Sequence, residues 1–205
     1  MMRKVIAEIT GLSDIGTILS PSQFDKADVD DYILHEDDEK IYFVIKTKKD
    51  EYCFTNLALL HLDGESAVSS KRKLKRYDYF YNPIDEVVLE TAGTIDLDVE
   101  IKFTIGSDNL SIDVKKDQLS QLKGLYKTLI AISTLQDVNK AKFNYGMQGQ
   151  ELASAYLKRA GNSTESNVVT EFENIRESIH AYSLKMHEQY LRLDYKEQFE
   201  KYIKN

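Results

Sequence analysis

The chain has 205 residues, which is enough for one hydrophobic core plus an appendage or for two small domains. Its net charge of −7 is uneven, because residues 1–116 hold 15 Lys+Arg against 23 Asp+Glu while residues 117–205 hold 12 against 11. Because residues 1–116 are acidic, they lack the basic surface that general nucleic-acid binding requires.

Cys53 is the single cysteine, so the chain has no internal disulfide and no cysteine pair for a thiolate metal site. The first nine residues include Arg3 and Lys4 but lack the long apolar run and cleavage site of a secretory signal. The longest apolar stretches, such as residues 57–60, are far too short to span a membrane. We therefore expect a soluble cytoplasmic protein.

The first half of the chain is predicted to be mainly β-structure. Residues 3–10 form a short amphipathic helix, residues 29–34 begin the β region, and the acidic run 36–39 turns into a strand over 40–48. A third strand follows at 51–55.

The hairpin pattern continues beyond residue 56. A strand over 57–62 ends at Asp63-Gly64, a strong turn dipeptide, and the chain resumes over 66–79. Further strands are predicted over 87–91, 95–105 and 110–114, and 95–105 alternates most cleanly between apolar and polar side chains. The total is seven or eight antiparallel strands.

The hydrophobic period changes near Asp117, which is placed to cap a helix. From there apolar residues recur at three and four positions, as on one face of a helix: Leu119, Leu122, Leu125, Leu129, Ile132 and Leu135. Many short strands followed by such a helix favour a strongly bent sheet or partly open barrel that the helix closes. The pattern weakens over 143–149, where Gly146 and Gly149 leave the continuity of the helix open.

A helical hairpin is predicted to follow, because residues 160–164 have the glycine stop and polar start of a chain reversal. Beyond it, apolar residues fall on heptad positions and form a coiled-coil-like seam: Val168, Phe172, Ile175, Ile179, Tyr182, Met186 and Leu193. Helices of about 40 residues would span roughly 60 Å. Part of the hairpin must then project from the β body or meet another subunit.

Three sequence blocks, 31–36, 51–56 and 63–72, resemble the bacterial pleckstrin-homology-like family, and residues from about 120 to 205 resemble its YvbH-like C-terminal extension. The resemblance covers nearly the whole chain and is most specific in the block ending at Lys71-Arg72. It implies an α+β fold, in which a bent antiparallel barrel of about seven strands is capped by a helix and followed by a long helical hairpin. It also implies ring-like cyclic homo-oligomers, a role in protein–protein interaction and no established enzyme activity.

One basic cluster interrupts the acidic body at residues 71–77. In a strand, Lys71, Lys73, Lys75 and Tyr77 share one face, which is a candidate surface for an acidic protein or for phosphate headgroups. The alternative is a solvated strand whose charges oppose acidic neighbours or protect an exposed edge. We favour the solvated strand. Of the two binding functions, we favour an acidic protein partner over lipid headgroups.

Other polar clusters have structural explanations that we prefer. Residues 35–39 lack the alternation and central glycine of a calcium loop, so we expect a solvated turn and no metal site. Cys53 lies between two aromatic residues in a strand, which favours burial over nucleophilic use. Tyr77, Tyr79 and Tyr81 alternate on one face, where packing is at least as well supported as an interface.

The sequence thus predicts a protein that is not an enzyme, needs no cofactor and has two parts, a PH-like barrel with its capping helix over 1–135 and a helical oligomerisation extension over 136–205. We expect a ring-forming scaffold or adaptor whose partners are other copies of itself and an unidentified protein, with no nucleic acid. Peripheral binding of an anionic membrane surface through residues 71–77 is the alternative. The predicted oligomerisation seam is Phe172, Ile175, Ile179 and Met186.

Overall fold

The fold is taken from a computed structural model, which describes residues 14–64, 72–91, 98–160 and 168–204, without the side chains of 156–160 and 168–172. The chain divides into two compact units: Met1–Ser133 together with Leu193–Asn205, here called the β unit, and Thr134–Arg192, here called the hairpin unit. The predicted helix over 3–10 and parts of the predicted elements at 66–71, 95–97 and 161–164 lie outside the described residues.

A five-stranded antiparallel sheet forms one side of the β unit, in the strand order of the sequence. Its strands are β1 (Thr17–Ile18), β2 (Ile41–Lys46), β3 (Glu51–Thr55), β4 (Ala58–Gly64) and β5 (Arg72–Asp78). Four of the five were expected close to these positions. Both faces of β3 and most of β4 are buried, so this sheet is covered on two sides.

A three-stranded antiparallel sheet forms the other side. Its strands are β6 (Ile84–Glu90), β7 (Asp98–Ile105) and β8 (Asp108–Lys115). The predicted alternation in β7 is confirmed, because Val99, Ile101, Phe103 and Ile105 are all buried. The turn into β8 uses Gly106 at a φ of +59°, a conformation that glycine adopts at low cost.

The two sheets join through Gly16, whose N–H donates to the carbonyl of Asp113 and whose carbonyl accepts from the N–H of Lys115. Among the described residues, β5 and β6 are not paired with each other. The eight described strands therefore make a strongly bent, incompletely closed antiparallel barrel, as predicted.

The predicted strand over 29–34 is wrong. Three short 3-10 helices, Pro21–Lys26, Asp28–Tyr32 and His35–Asp37, lie there and cover the outer face of the five-stranded sheet. The N–H of Val29 donates to the carboxylate of Glu51 and that of Leu34 to the carboxylate of Glu39. These side chains satisfy backbone groups that a strand ladder would otherwise pair.

The long helix α1 spans Leu119–Ala160 without a break at Gly146 or Gly149. Its predicted stripe is confirmed where the helix belongs to the β unit, since Leu122, Leu125, Leu129 and Ile132 are fully buried. Asp117 lies inside a 3-10 turn, Lys116–Gln118, and is not the predicted cap. Instead the side chain of Gln118 pairs with both backbone groups of Ile18.

The second helix, α2, spans Val168–Tyr190 and is shorter than the seam predicted. Leu193 lies beyond its end and is 62% exposed. The chain then forms a short helix, α3 (Lys196–Tyr202), that belongs to the β unit.

Aromatic contacts fix α3 on the strands of the β unit. Phe199 is fully buried and stacks on Tyr42 at 5.1 Å and on Tyr79 at 6.3 Å between ring centroids. The N–H of Tyr195 donates to the carbonyl of Asn56 at 2.9 Å. A Cβ on Gly124 of α1 would lie 2.9 Å from the carbonyl oxygen of Tyr202, so glycine permits this close approach.

Within the hairpin unit, two contacts between described residues join α1 and α2 at close range. The Ser183 hydroxyl donates to the side-chain oxygen of Gln150 at 3.1 Å, and a Cβ on Gly146 would overlap the Met186 sulfur. Gly146, which weakened the sequence pattern, is thus a position of close helix packing.

Candidate interaction surfaces

The predicted basic surface lies on β5, but its side chains are not equally available. Lys71 lies outside the described residues, and Lys73 is exposed and directly opposite Asp63 in the β4–β5 register. The Lys75 ammonium lies 3.1 Å from a carboxylate oxygen of Asp108, and the Tyr77 hydroxyl donates to that same oxygen at 2.5 Å. Asp108, the first residue of β8, therefore pairs with the Lys75 charge and leaves Lys73 exposed.

Electrostatics around Asp108 follow from these contacts. Hydrogen bonds from Tyr77 and Lys75 lower the pKa of the Asp108 carboxyl, and the hydrogen bond to Asp108 raises the pKa of the Lys75 ammonium. Burial, followed by the bond to Asp108, raises the pKa of the Tyr77 hydroxyl. All three groups keep their ordinary charge state at neutral pH.

The opposite face of β5 carries a second set of ion pairs. Arg72 pairs with Asp28, and the Arg76 guanidinium lies 3.0 Å from Glu39 and 2.8 Å from Asp78. Glu39 is buried and also accepts a hydrogen bond from the Thr55 hydroxyl at 2.6 Å. The charges of Arg72 and Arg76 on this face therefore oppose acidic neighbours.

A half-buried histidine that the sequence pattern did not single out lies on β4. His61 stacks on Tyr52 with ring centroids 4.3 Å apart, and its Nε2 lies 3.6 Å from an Asp50 oxygen. Burial lowers the pKa of the His61 imidazole and raises the pKa of the Asp50 carboxyl. The predicted strand over 57–62 is confirmed and extends further, since β4 continues to Gly64.

Cys53 is fully buried on β3, and burial raises the pKa of its thiol well above the usual range. A thiolate nucleophile is disfavoured at such a site. Tyr79 is buried against α3, while Tyr81 is 76% exposed after the end of β5, so the three alternating tyrosines do not share one environment. Within the described residues, no group of three or more His, Cys, Asp or Glu side chains could hold a metal ion.

The predicted seam residues lie on α2. Ile175 and Ile179 line an open groove of about 510 Å³ in the hairpin unit, together with Tyr182 and residues of α1 that include Gly149 and Ala153. Met186 is buried against Gly146 rather than in this groove. Phe172 falls within α2, but its side chain is outside the described residues. The groove is mostly apolar and open to solvent, which suits protein contacts.

In the part of the chain that the structure describes, none of the helices has the length and apolar character needed to cross a membrane.

Comparison with known proteins agrees with this architecture. Residues 10–133 match the model of the bacterial PH domain, and residues 144–205 match that of the YvbH-like oligomerisation region. The chain is 48% identical over its full length to the full-length Bacillus subtilis (strain 168) protein named "Uncharacterized protein YvbH". It is also similar to the crystal structure of a PH domain containing bacterial protein from Exiguobacterium sibiricum 255-15, with 46% identity and a TM-score of 0.84 over 93% of this chain and 100% of that one. The chain therefore belongs to the bacterial PH domain family and carries a YvbH-like oligomerisation region after its PH domain.

Proposed function

We propose that this protein is a non-enzymatic scaffold or adaptor that assembles into a closed ring of identical subunits through its helical hairpin. The observation that carries the proposal is the apolar groove between α1 and α2, which Ile175, Ile179 and Tyr182 line. The match of residues 144–205 to an oligomerisation region supports a second copy as the occupant.

Exposed apolar side chains elsewhere in the hairpin unit support self-association as well. Leu152 is 74% exposed, Tyr145 is 71% exposed and Leu184 is 50% exposed. Clustered exposed apolar surface marks protein contact sites. A contact in which the groove of one copy receives a different surface of the next is heterologous, and such contacts close into rings when the rotation permits.

A ring would present identical polar surfaces at a regular spacing. We place the partner-binding surface on the β5 face that carries Lys73, Lys75 and Tyr77, with Lys73 as an exposed cation. Lys71, the fourth residue predicted for this surface, lies outside the described residues. Repeating a weak site around a ring raises the apparent affinity for an acidic multivalent protein without any new contact. The mechanism is avidity, and it requires no catalytic residue.

The test is the solution mass of the full-length chain by light scattering after gel filtration. We expect wild type to give one discrete mass that is a whole multiple of 23.6 kDa, with closed rings in electron micrographs. Ile175→Glu combined with Ile179→Glu should lower the mass, because two buried carboxylates cost far more than a contact returns.

The matched control introduces two carboxylates at exposed α2 positions outside the groove, His180→Glu with Ala181→Glu. This control should keep the wild-type mass. A monomeric wild type, or a groove variant that retains the wild-type mass, would rule out assembly through this groove.

The second candidate function is peripheral binding of anionic lipid headgroups through residues 71–77. The exposure of Lys73 supports it, whereas the ion pairs of Arg72, Lys75 and Arg76 reduce the charge available. Binding to anionic but not neutral vesicles, lost on Lys73→Glu with Lys75→Glu, would favour this function. Retention of vesicle binding by that variant would remove it.

A further inference from the structure

A groove of about 450 Å³ lies within the β unit, where the first turns of α1 run beside the C-terminal segment. Lys123 and Lys127 project from α1 on one side, and Lys201 and Lys204 from the end of the chain on the other. Ser120 and Gln121 add polar side chains to the rim. Four lysines that are separate in sequence thus border one depression.

Within the described lining of this groove, the lysines face no carboxylate side chain. Among the residues described, no carboxylate lines it and none of the four lysines forms a salt bridge. Lys201 instead lies over the Tyr202 ring at 5.0 Å, and Glu200 of α3 is engaged by Lys196 and Tyr42. Here the groove differs from β5, where Arg72, Lys75 and Arg76 each contact a carboxylate.

The groove is held in shape by the same contacts that anchor the C-terminal segment. Phe199 is fully buried, the N–H of Ile203 donates to its carbonyl at 2.8 Å, and Gly124 lets the Tyr202 backbone approach α1. All four lysine side chains are exposed at the rim, while Tyr202 and Ile203 are half-buried at the wall. Lys123, Lys127 and Lys201 therefore project from helices, and Lys204 follows two residues after the end of α3.

We propose that this lysine groove is an anion-binding site for a phosphate-bearing ligand. A phosphate group carries negative charge and several acceptor oxygens. Lysine ammonium groups act as compact point charges and bind such groups. The volume of the groove falls in the range typical of small-ligand sites. A free polyphosphate and the headgroup of an anionic lipid carry the same recognised group.

The experiment uses the full-length chain at about 150 mM salt, where weak surface attraction is largely screened. One arm titrates inorganic tripolyphosphate by calorimetry, and the other measures co-sedimentation with vesicles of phosphatidylglycerol in phosphatidylcholine against phosphatidylcholine alone. The groove variant is Lys123→Glu with Lys127→Glu. The matched control is Lys48→Glu with Lys49→Glu, which makes the same charge change at an exposed turn of the β unit.

We expect wild type to bind at least one anionic probe, the groove variant to bind at least tenfold more weakly, and the control to stay within twofold of wild type. Binding of tripolyphosphate alone identifies a free phosphate ligand, whereas binding of the anionic vesicles alone identifies a lipid headgroup. The proposal is overturned if wild type binds neither probe, if both variants weaken binding equally, or if the groove variant binds as wild type does. Light scattering on the same samples reports self-association separately, so a failure of ring assembly would not be mistaken for a failure of this site.

Discussion

The helix α1 belongs to both units, and its apolar side chains are buried in one unit but exposed in the other. In the β unit Leu122, Leu125, Leu129 and Ile132 are fully buried, whereas in the hairpin unit Leu152 of the same helix is 74% exposed. Among the described side chains of the hairpin unit, Met186 is the one buried apolar residue. A helix that packs on a bent sheet buries its apolar face within one chain. Two helices packed only on each other leave apolar surface exposed, which a further copy can cover.

Loss of the Phe199 ring should have a large effect on stability, because this residue near the end of the chain is part of the β-unit core. Phe199→Ala should reduce the free energy of unfolding by about 3–5 kcal/mol, because it removes a fully buried ring and leaves a cavity beside Tyr42 and Tyr79. Chemical denaturation of the full-length chain measures the change.

The control for that prediction is Leu193→Ala, which alters a 62% exposed residue just before α3. It should change the free energy of unfolding by less than about 0.5 kcal/mol. Equal losses in the two variants would contradict the burial that separates Phe199 from Leu193.

Two matched substitutions in α1 test directly whether burial differs between the β unit and the hairpin unit. Leu129→Ala should cost about 2–5 kcal/mol, since Leu129 is fully buried in the β unit. Leu152→Ala should cost less than about 0.5 kcal/mol in samples dilute enough to be monomeric. Denaturation at several protein concentrations distinguishes the two residues, and a large effect of Leu152→Ala in the monomer would show that the hairpin buries its own leucines.

The smallest expected effect is a pH dependence that originates in the β unit. Burial lowers the pKa of His61 in the folded chain, so below about pH 6.5 the unfolded chain takes up more protons and stability falls as the pH falls. Asp50 and Asp63 oppose this effect by attracting the proton, whereas Lys75 adds to it. The pKa of Asp50 is itself raised by burial, so its protonation at still lower pH favours the folded chain.

The corresponding measurement is the free energy of unfolding of wild type and His61→Gln between about pH 7 and pH 5. The variant should lose less stability than wild type over this interval, because it has no imidazole to charge. Parallel curves would mean that His61 does not contribute to the pH dependence.

Regular periodicity predicted the parts of the fold that rest on simple burial. The alternation in β7 and the stripe from Leu122 to Ile132 each place one apolar face on a core, and both are confirmed. The strand predicted over 29–34 was wrong, because backbone N–H groups of this segment donate hydrogen bonds to the side chains of Glu51 and Glu39. Such tertiary hydrogen bonds leave no local period in the sequence.

Candidate sites were less predictable than the fold for a related reason. A run of basic residues was visible at 71–77, but its carboxylate partners Asp28, Glu39 and Asp108 come from three separate segments. The lysine groove could not be recognised in the sequence, because Lys123 and Lys201 come together only where α3 packs beside α1. Spacing along a chain cannot report charge balance that tertiary contacts create.

The position of Phe199 in the chain has a consequence for biosynthesis. Residues 134–192 are translated before Phe199, so the core of the β unit still lacks one of its largest side chains when the hairpin unit has been synthesised. Domains generally fold as units during synthesis, with the earlier part of the chain first. Here the β unit cannot complete its core until the residues that follow the hairpin unit have been synthesised, so its folding depends on segments from both sides of residues 134–192.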